Sequence, residues 1–148
     1  MNKINQNRHN INIAVIIIVI EELFKMKNIK KWDIYFAKLE GNGSVERGNR
    51  PVMVVSNDIG NELANTVCVI PLTSKVHKKP LPTHVYINDP ILKKPSLALT
   101  EQIRVIDKTE LSFKIGNLKN EELRNKVSVA QLYSLGMENL IKNKLKIS

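Results

Sequence analysis

The chain has 148 residues and a formal net charge of +9 at pH 7, from 23 lysines and arginines against 14 aspartates and glutamates. This length fits one domain with one core and argues against a two-domain enzyme, while the charge favours a polyanionic partner, a nucleic acid or a membrane surface, with a merely solubilising surface as the alternative. The single cysteine, Cys68, excludes an internal disulfide and a cysteine-based zinc site, so the chain suits a reducing cytosol.

The first 25 residues hold the most apolar run of the chain, Ile11–Ile20, which follows three basic side chains. The run is about half of the roughly 20 residues that a membrane span needs, and no small-residue cleavage site for export follows it. We interpret residues 1–25 as an extension ahead of the true start, because Glu21-Glu22 can be encoded by a ribosome-binding sequence shortly before Met26. Residues 26–148 then form the single domain.

From residue 33 onward, short runs of branched and aromatic residues alternate with polar, glycine or proline punctuation, which predicts a small, strongly curved sheet or barrel. The predicted strands are Asp33–Leu39, Pro51–Ser56, Thr66–Leu72, His84–Ile87, Ser96–Thr100 and Gln102–Ile106. Glu40–Asn49, with three glycines, and the basic Ser74–Pro82, with two prolines, are predicted surface loops of the kind that often carry function. Cys68 lies between two valines and is predicted to be a small buried hydrophobe rather than a nucleophile.

The sequence period changes after the predicted sheet. Over Glu121–Leu135 apolar residues recur at helical spacing, with Asn120 as the predicted N-cap and Gly136 as the predicted stop. A short last helix is predicted over Glu138–Lys146. The fold class is therefore β-rich α+β, a curved sheet or barrel followed by C-terminal helices.

The motifs of several enzyme classes are missing. The sequence has no phosphate-binding glycine loop and no H-E-x-x-H, and its aspartates are scattered, whereas a two-metal nuclease needs clustered carboxylates. We therefore expect neither a metal nor another cofactor. A pair of histidines acting as acid and base stays open, but of the three histidines His9 lies in the doubtful extension, which leaves His77 and His84. Aromatic residues make up only 5% of the chain, which argues against a base-stacking platform.

Two polar side chains at predicted strand ends stand out. Arg50 enters a strand, where a guanidinium can direct two N–H donors onto one phosphate. Thr73 leaves the next strand, where its hydroxyl can donate a third bond. Taken singly, each has an ordinary explanation, Arg50 as a surface ion-pair partner and Thr73 as a turn residue.

Taken together, five blocks of the sequence resemble the signature blocks of the MazF/PemK toxins, in the same order and spacing across residues 29–136. The blocks are Asp33–Tyr35, Gly43–Asp58, Pro71–Ser74, Leu81–Val85, and Ser96–Leu99 with Glu101–Lys108. The resemblance implies an SH3-like curved barrel with C-terminal helices, the fold shared with gyrase-poisoning CcdB-like toxins. It further implies a cytoplasmic homodimer that cuts single-stranded RNA at specific sequences, without a metal or membrane, and a cognate antitoxin protein that inhibits it.

The resemblance also implies roles for individual residues. The family's catalytic arginine and threonine fall on Arg50 and Thr73. Its RNA-contacting positions fall on Ser44, Glu46, Leu81, Thr83, His84 and Gln102. One position departs from the family, which commonly has glutamine where this chain has Glu46, often after an acidic residue where this chain has Val45. A carboxylate at position 46 repels a phosphate unless Arg47 or Arg50 compensates it.

The implied mechanism needs no metal, because the 2′-OH of RNA is already held beside the phosphate that it attacks. Arg50 is suited to the phosphorane oxygens. The family account also gives this arginine proton-transfer work, for which a guanidinium with a pKa above about 12 is poorly suited. The sequence leaves open whether Glu46 or His84 is the base.

Three other interpretations remain at this stage: a non-catalytic barrel that binds a partner, a gyrase-poisoning toxin, and a membrane-anchored basic protein built on Ile11–Ile20. The gyrase-poisoning toxins resemble this chain less, because they have a tryptophan near the C-terminus and the only one here is Trp32. A reading frame for an acidic antitoxin with a DNA-binding start, expected immediately upstream, would favour the RNA-cutting toxin. The recognised RNA sequence depends on the loops Glu40–Asn49 and Ser74–Pro82 and does not follow from this chain alone.

Overall fold

A computed structural model describes residues 3–76 and 79–146. The elements are helix α1 (Lys3–Lys27), strands β1 (Asp33–Leu39) and β2 (Gly48–Val54), helix α2 (Asp58–Leu63), strands β3 (Thr66–Thr73), β4 (His84–Ile87), β5 (Ser96–Leu99), β6 (Arg104–Asp107) and β7 (Leu111–Asn117), and helices α3 (Glu121–Ser134) and α4 (Asn139–Lys146). Two short 3-10 helices, Thr100–Gln102 and Lys108–Glu110, flank β6. The predicted His77 lies outside the described residues, as does the side chain of His9.

The seven strands form one antiparallel sheet in the order β4-β5-β3-β2-β1-β7, with β6 paired to β3. Strand β3 changes its neighbour along one edge, from β6 over Thr66–Val69 to β5 at Leu72 and Thr73. This change of partner bends the sheet. Within the described residues no pairing joins β4 to β7, so the sheet is strongly curved and open. The predicted β-rich curved fold with C-terminal helices is confirmed.

Both faces of the central strands are buried, which explains their nearly continuous apolar sequences. Because side chains alternate along a strand, Ile34, Met53 and Ile70 point to a first core, which α3 covers with Val127 and Ala130. The intervening residues point to a second core on the opposite face, which contains Tyr35, Ala37, Leu39, Val52, Val54, Val67 and Val69. Cys68 is half-buried against the first core, as expected of a small core residue.

The helical prediction is close to the structure. The Asn120 side chain accepts a hydrogen bond from the backbone N–H of Leu123 at 3.0 Å, and Gly136, with φ of 69°, ends the turn after α3. The predicted bounds of β1 and β4 are also the observed ones. Helices α1 and α2, strand β7 and the two 3-10 helices were not predicted, and β2 begins and ends earlier than expected.

Helix α1 has an exposed apolar surface. Its described side chains from Asn12 to Phe24 are all exposed, and the first buried residue after it is Ile29, at 2% exposure. None of the described helices is both long enough and apolar enough to cross a membrane. The domain boundary at residue 26 therefore stays a prediction, and α1 contributes none of its described side chains to either core.

Candidate active site

The predicted catalytic pair lies at one shared end of β2 and β3. These strands pair in a register that joins Val52 to Pro71, and continuing it by two residues places Arg50 opposite Thr73. Both positions fall on the face of the second core, because side chains alternate along each strand. The fold thus brings together two residues that are more than twenty positions apart in sequence.

In the described structure the Arg50 guanidinium already has an ion-pair partner and hydrogen-bond acceptors within its own chain. Its Nη1 forms an ion pair with a carboxylate oxygen of Glu46, and both side chains are 21% exposed. Its Nε donates to the carbonyl of Arg47 at 2.9 Å, and its Nη2 donates to the same carbonyl. Burial and the nearby charge of Arg104 lower the pKa of Arg50. Arg50, and not the side chain of Arg47, is therefore the partner that compensates the carboxylate of Glu46.

Two further side chains complete this corner. The Gln102 side-chain oxygen accepts from the backbone N–H of Glu46 at 2.7 Å, and its amide nitrogen donates to the carbonyl of Ser44 at 3.4 Å. The Arg104 side chain donates to the carbonyl of Glu40 at 2.9 Å and lies 3.5 Å from the Gln102 side-chain oxygen. We call Glu46, Arg50, Gln102 and Arg104 the arginine cluster.

Thr73 is nearly buried at the edge of this corner, with 8% exposure. Its hydroxyl oxygen accepts from the backbone N–H of Lys75 at 3.3 Å. Among the described residues its hydroxyl hydrogen has no acceptor, so it remains available to a bound oxygen atom. The donor role of Thr73 stays a prediction.

The remaining predicted residues form a second group on the loop before β4. The backbone N–H of Leu81 donates to His84 Nδ1 at 3.1 Å, and His84 Nε2 lies 2.9 Å from a Glu101 carboxylate oxygen. The other Glu101 oxygen accepts from the Thr83 hydroxyl at 3.0 Å. We call Leu81, Thr83, His84 and Glu101 the histidine cluster.

Both ring nitrogens of His84 are thus engaged. Because Nδ1 accepts a backbone hydrogen bond, the neutral ring carries its proton on Nε2 and donates it to Glu101. A general base needs a free acceptor within reach of the proton that it removes. Because both ring nitrogens of His84 already have partners, the described geometry does not favour His84 for that role.

One short helix joins the two clusters. In the 3-10 helix Thr100–Gln102, Glu101 belongs to the histidine cluster and Gln102 to the arginine cluster. Thr100 holds this helix in place, since its hydroxyl donates to the carbonyl of Thr83 at 2.7 Å. Sequence reasoning did not select Glu101 or Arg104, although both lie in the block that contains Gln102.

The described residues contain no group of three or more histidine, cysteine, aspartate or glutamate side chains that could hold a metal ion. The charged centre of the corner is instead a pair of guanidinium groups, and among the described residues only Arg50 of the two has a carboxylate partner. An anion can bind here by taking the place of the Glu46 carboxylate on the Arg50 guanidinium.

Comparison with known proteins decides the family. Residues 30–132 match the model of the PemK-like, MazF-like toxins of type II toxin-antitoxin systems. The chain belongs to this family. This toxin is also 42% identical over 112 residues, 74% of its own length and 96% of the relative's, to Endoribonuclease EndoA of Bacillus subtilis (strain 168).

Solved structures agree with this fold. One is an endoribonuclease in complex with its cognate antitoxin from Mycobacterial species, with a TM-score of 0.61 and 24% identity, covering 74% of this toxin and 96% of that chain. Another is MazF from Deinococcus radiodurans, with a TM-score of 0.64 and 18% identity, covering 74% and 97%. The predicted family and fold are therefore confirmed, while the roles of individual residues remain predictions.

Proposed function

We propose that this MazF/PemK-family toxin is a metal-independent, sequence-specific endoribonuclease that cuts single-stranded RNA, with Arg50 and Thr73 as its catalytic residues. The observation that supports this most is that Arg50, near the start of β2, and Thr73, at the end of β3, lie at the same end of this antiparallel strand pair, near the charge of Arg104. The net charge of +9 favours a polyanionic substrate. The relative from Bacillus subtilis, named an endoribonuclease, supports RNA as that substrate.

The reaction proceeds by attack of the 2′-OH oxygen on the adjacent phosphorus. A bond from O2′ to phosphorus forms, the bond from phosphorus to O5′ breaks, and the products carry a 2′,3′-cyclic phosphate and a 5′-OH. The proton of the 2′-OH leaves to a base and the O5′ leaving group takes up a proton. The scissile phosphate replaces the Glu46 carboxylate on Arg50, whose fork of donors then stabilises the phosphorane charge. Thr73 donates its free hydroxyl hydrogen to a phosphate oxygen.

The other residues predicted to contact RNA differ in whether their side chains already have hydrogen-bond partners. Leu81 is 52% exposed and offers an apolar side chain to a base of the RNA. Thr83, His84 and Gln102 are tied to neighbouring groups, so they shape the binding surface and meet RNA at its edges. Ser44 and Glu46 lie on the loop between β1 and β2, which we expect to contribute to sequence preference.

The protein partners and the cellular location are part of the same proposal. A cognate antitoxin is supported by the antitoxin complex of the Mycobacterial relative. A homodimer is supported by exposed apolar side chains on the C-terminal helices, including Val129, Tyr133 and Leu140, beside a groove of about 650 Å³ between α3 and β4. A cytoplasmic location is supported by the single cysteine, Cys68, which is half-buried.

Cleavage of labelled RNA in excess chelator tests the proposal. We expect full activity, products with 2′,3′-cyclic phosphate and 5′-OH ends, and no cleavage of a matched RNA with one 2′-deoxy nucleotide at the cut site. Cleavage of the deoxy substrate, or strict dependence on magnesium, would contradict the mechanism. Tight RNA binding without any cleavage would instead identify a binding module.

A further inference from the structure

We infer that Arg104 is a positioning residue of the active site, which anchors the loop between β1 and β2 beside Arg50. The inference rests on the proposed RNA cleavage and adds to it a residue that was not among the predicted site residues. It arises from where the Arg104 side chain donates its hydrogen bonds.

Arg104 reaches the start of the loop from β6, which is separated from β2 by β3. It is the first residue of β6, where it pairs in register with Val69 of β3. Its Nη1 donates to the carbonyl of Glu40 at 2.9 Å, across 64 residues of sequence. No carboxylate of the described residues forms an ion pair with it, so its charge is directed at carbonyl and amide oxygens. An arginine without a carboxylate partner is suited to holding a loop backbone by several donors at once.

The same guanidinium steadies the contact at the other end of the loop. Its Nη2 lies 3.5 Å from the side-chain oxygen of Gln102, and its Nε lies 3.5 Å from the Gln102 carbonyl. That side-chain oxygen in turn accepts from the backbone N–H of Glu46 at 2.7 Å. Arg104 therefore holds the loop directly at Glu40 and, through Gln102, at Glu46.

The consequence for chemistry is geometric. Glu46 is four residues before Arg50, so the position of its backbone sets where the carboxylate meets the guanidinium. The same loop carries Ser44 and Glu46, where we expect contacts with RNA, so a drift of about 1 Å is enough to misplace the RNA and lower the rate by about a hundredfold. Burial and, after it, the charge of Arg104 lower the pKa of Arg50, as expected of two guanidinium groups near one another.

Hydrogen exchange of the RNA-free protein, together with single-turnover cleavage, tests the anchor. In Arg104→Met we expect the Glu46 amide to exchange about tenfold faster, the scale of one lost hydrogen bond, while core amides such as that of Ile70 are unchanged. The cleavage rate should fall by about ten- to a hundredfold. Arg104→Lys should recover part of both effects, because one ammonium reaches a carbonyl but lacks the fork. Lys119→Met, on the exposed connection before α3, controls for the loss of one positive charge.

An unchanged Glu46 amide in Arg104→Met would overturn the anchor. A second result would also overturn it: Arg104→Met loses cleavage rate, its loop keeps normal exchange protection, and the salt dependence of its RNA binding falls by about one phosphate contact. Arg104 would then bind RNA directly. If Arg104→Met does not fold, the same exchange measurement on Arg104→Lys decides. The exchange result stands even if the wild type cuts no RNA, so failure of the proposed function and failure of the anchor are distinguishable.

Discussion

The arginine cluster and the histidine cluster differ in what a substrate can displace. In the arginine cluster, Glu46 supplies a negative charge that an RNA phosphate can replace on Arg50. In the histidine cluster, the neutral ring of His84 is held on both sides, by the backbone of Leu81 and by Glu101. The first is suited to exchanging one anion for another during a reaction. The second is suited to fixing the shape of the loop before β4.

The largest effect is expected at Arg50. Arg50→Ala should lower the single-turnover rate by about 10²–10³, the scale for losing one electrostatic donor at a transition state. Arg50→Lys, which keeps the charge and loses the fork, should recover only part of it. Thermal unfolding should change little, since an ion pair that is partly exposed contributes about 1 kcal/mol or less. If Arg50→Ala unfolds the protein, Arg50 is a structural ion-pair partner and the comparison fails.

A smaller loss is expected at Thr73, which has one hydroxyl donor to offer. Thr73→Val keeps the shape and removes the hydroxyl, so the rate should fall by about five- to tenfold, the scale of one neutral hydrogen bond. Thr73→Ser, which keeps the hydroxyl, is the matched control and should stay close to wild type. Equal losses in both variants would show that packing at the end of β3, and not the hydroxyl, supports catalysis.

A still smaller effect is expected in the histidine cluster. His84→Asn offers an acceptor near the position of Nδ1, and His84→Gln offers a donor near that of Nε2, so each keeps one of the two bonds. We expect each variant to lose less than about fivefold in rate, since a general base would contribute about 10²–10⁴. A hundredfold loss in both variants, with normal thermal unfolding, would make His84 the base and reverse the comparison.

No effect is expected from removing α1, because none of its described side chains forms a hydrogen bond or an ion pair with either cluster. A chain that begins at Met26 should match the full chain in cleavage rate and in unfolding temperature, since the first buried residue is Ile29. Mass spectrometry of the natural product would also show whether translation begins there. A shortened chain with a clearly lower unfolding temperature would show that α1 is part of the domain.

Much of the fold was predictable from the sequence, because strands buried on both faces have conspicuous runs of branched residues, as in Asp33–Leu39. Strand β7 was not, because it is an edge strand whose residues from Ser112 to Lys114 are exposed, and only its pairing with β1 defines it. Trp32, with φ of 72°, is likewise held by residues far from it in sequence. Its backbone N–H donates to the carbonyl of Val54 at 2.8 Å, and its carbonyl accepts from the N–H of Leu118 at 2.9 Å.

The site was predictable to a similar degree. Arg50, Thr73 and Gln102 were predicted from sequence blocks that resemble the family. Such blocks identify the positions of site residues but not the contacts that their side chains make. That Arg50 rather than Arg47 pairs with Glu46, and that Glu101 binds His84, depends on how the loops fold back on the sheet. The Glu46–Arg50 contact spans only four residues but depends on the fold of their loop, and the His84–Glu101 contact spans 17 residues, so neither follows from a local sequence pattern.

Single-turnover cleavage by Glu46→Gln, measured across pH and RNA concentration, tests the central claim that the scissile phosphate replaces Glu46 on Arg50. Glu62→Gln, which removes an exposed carboxylate of α2, is the matched control. If Glu46 is a resting partner, its loss frees Arg50, so RNA should bind equally or more tightly and the rate should be retained. A rate lower by about 10²–10⁴ with unchanged RNA affinity, together with loss of the acidic limb of the pH profile, would contradict this and make Glu46 the base.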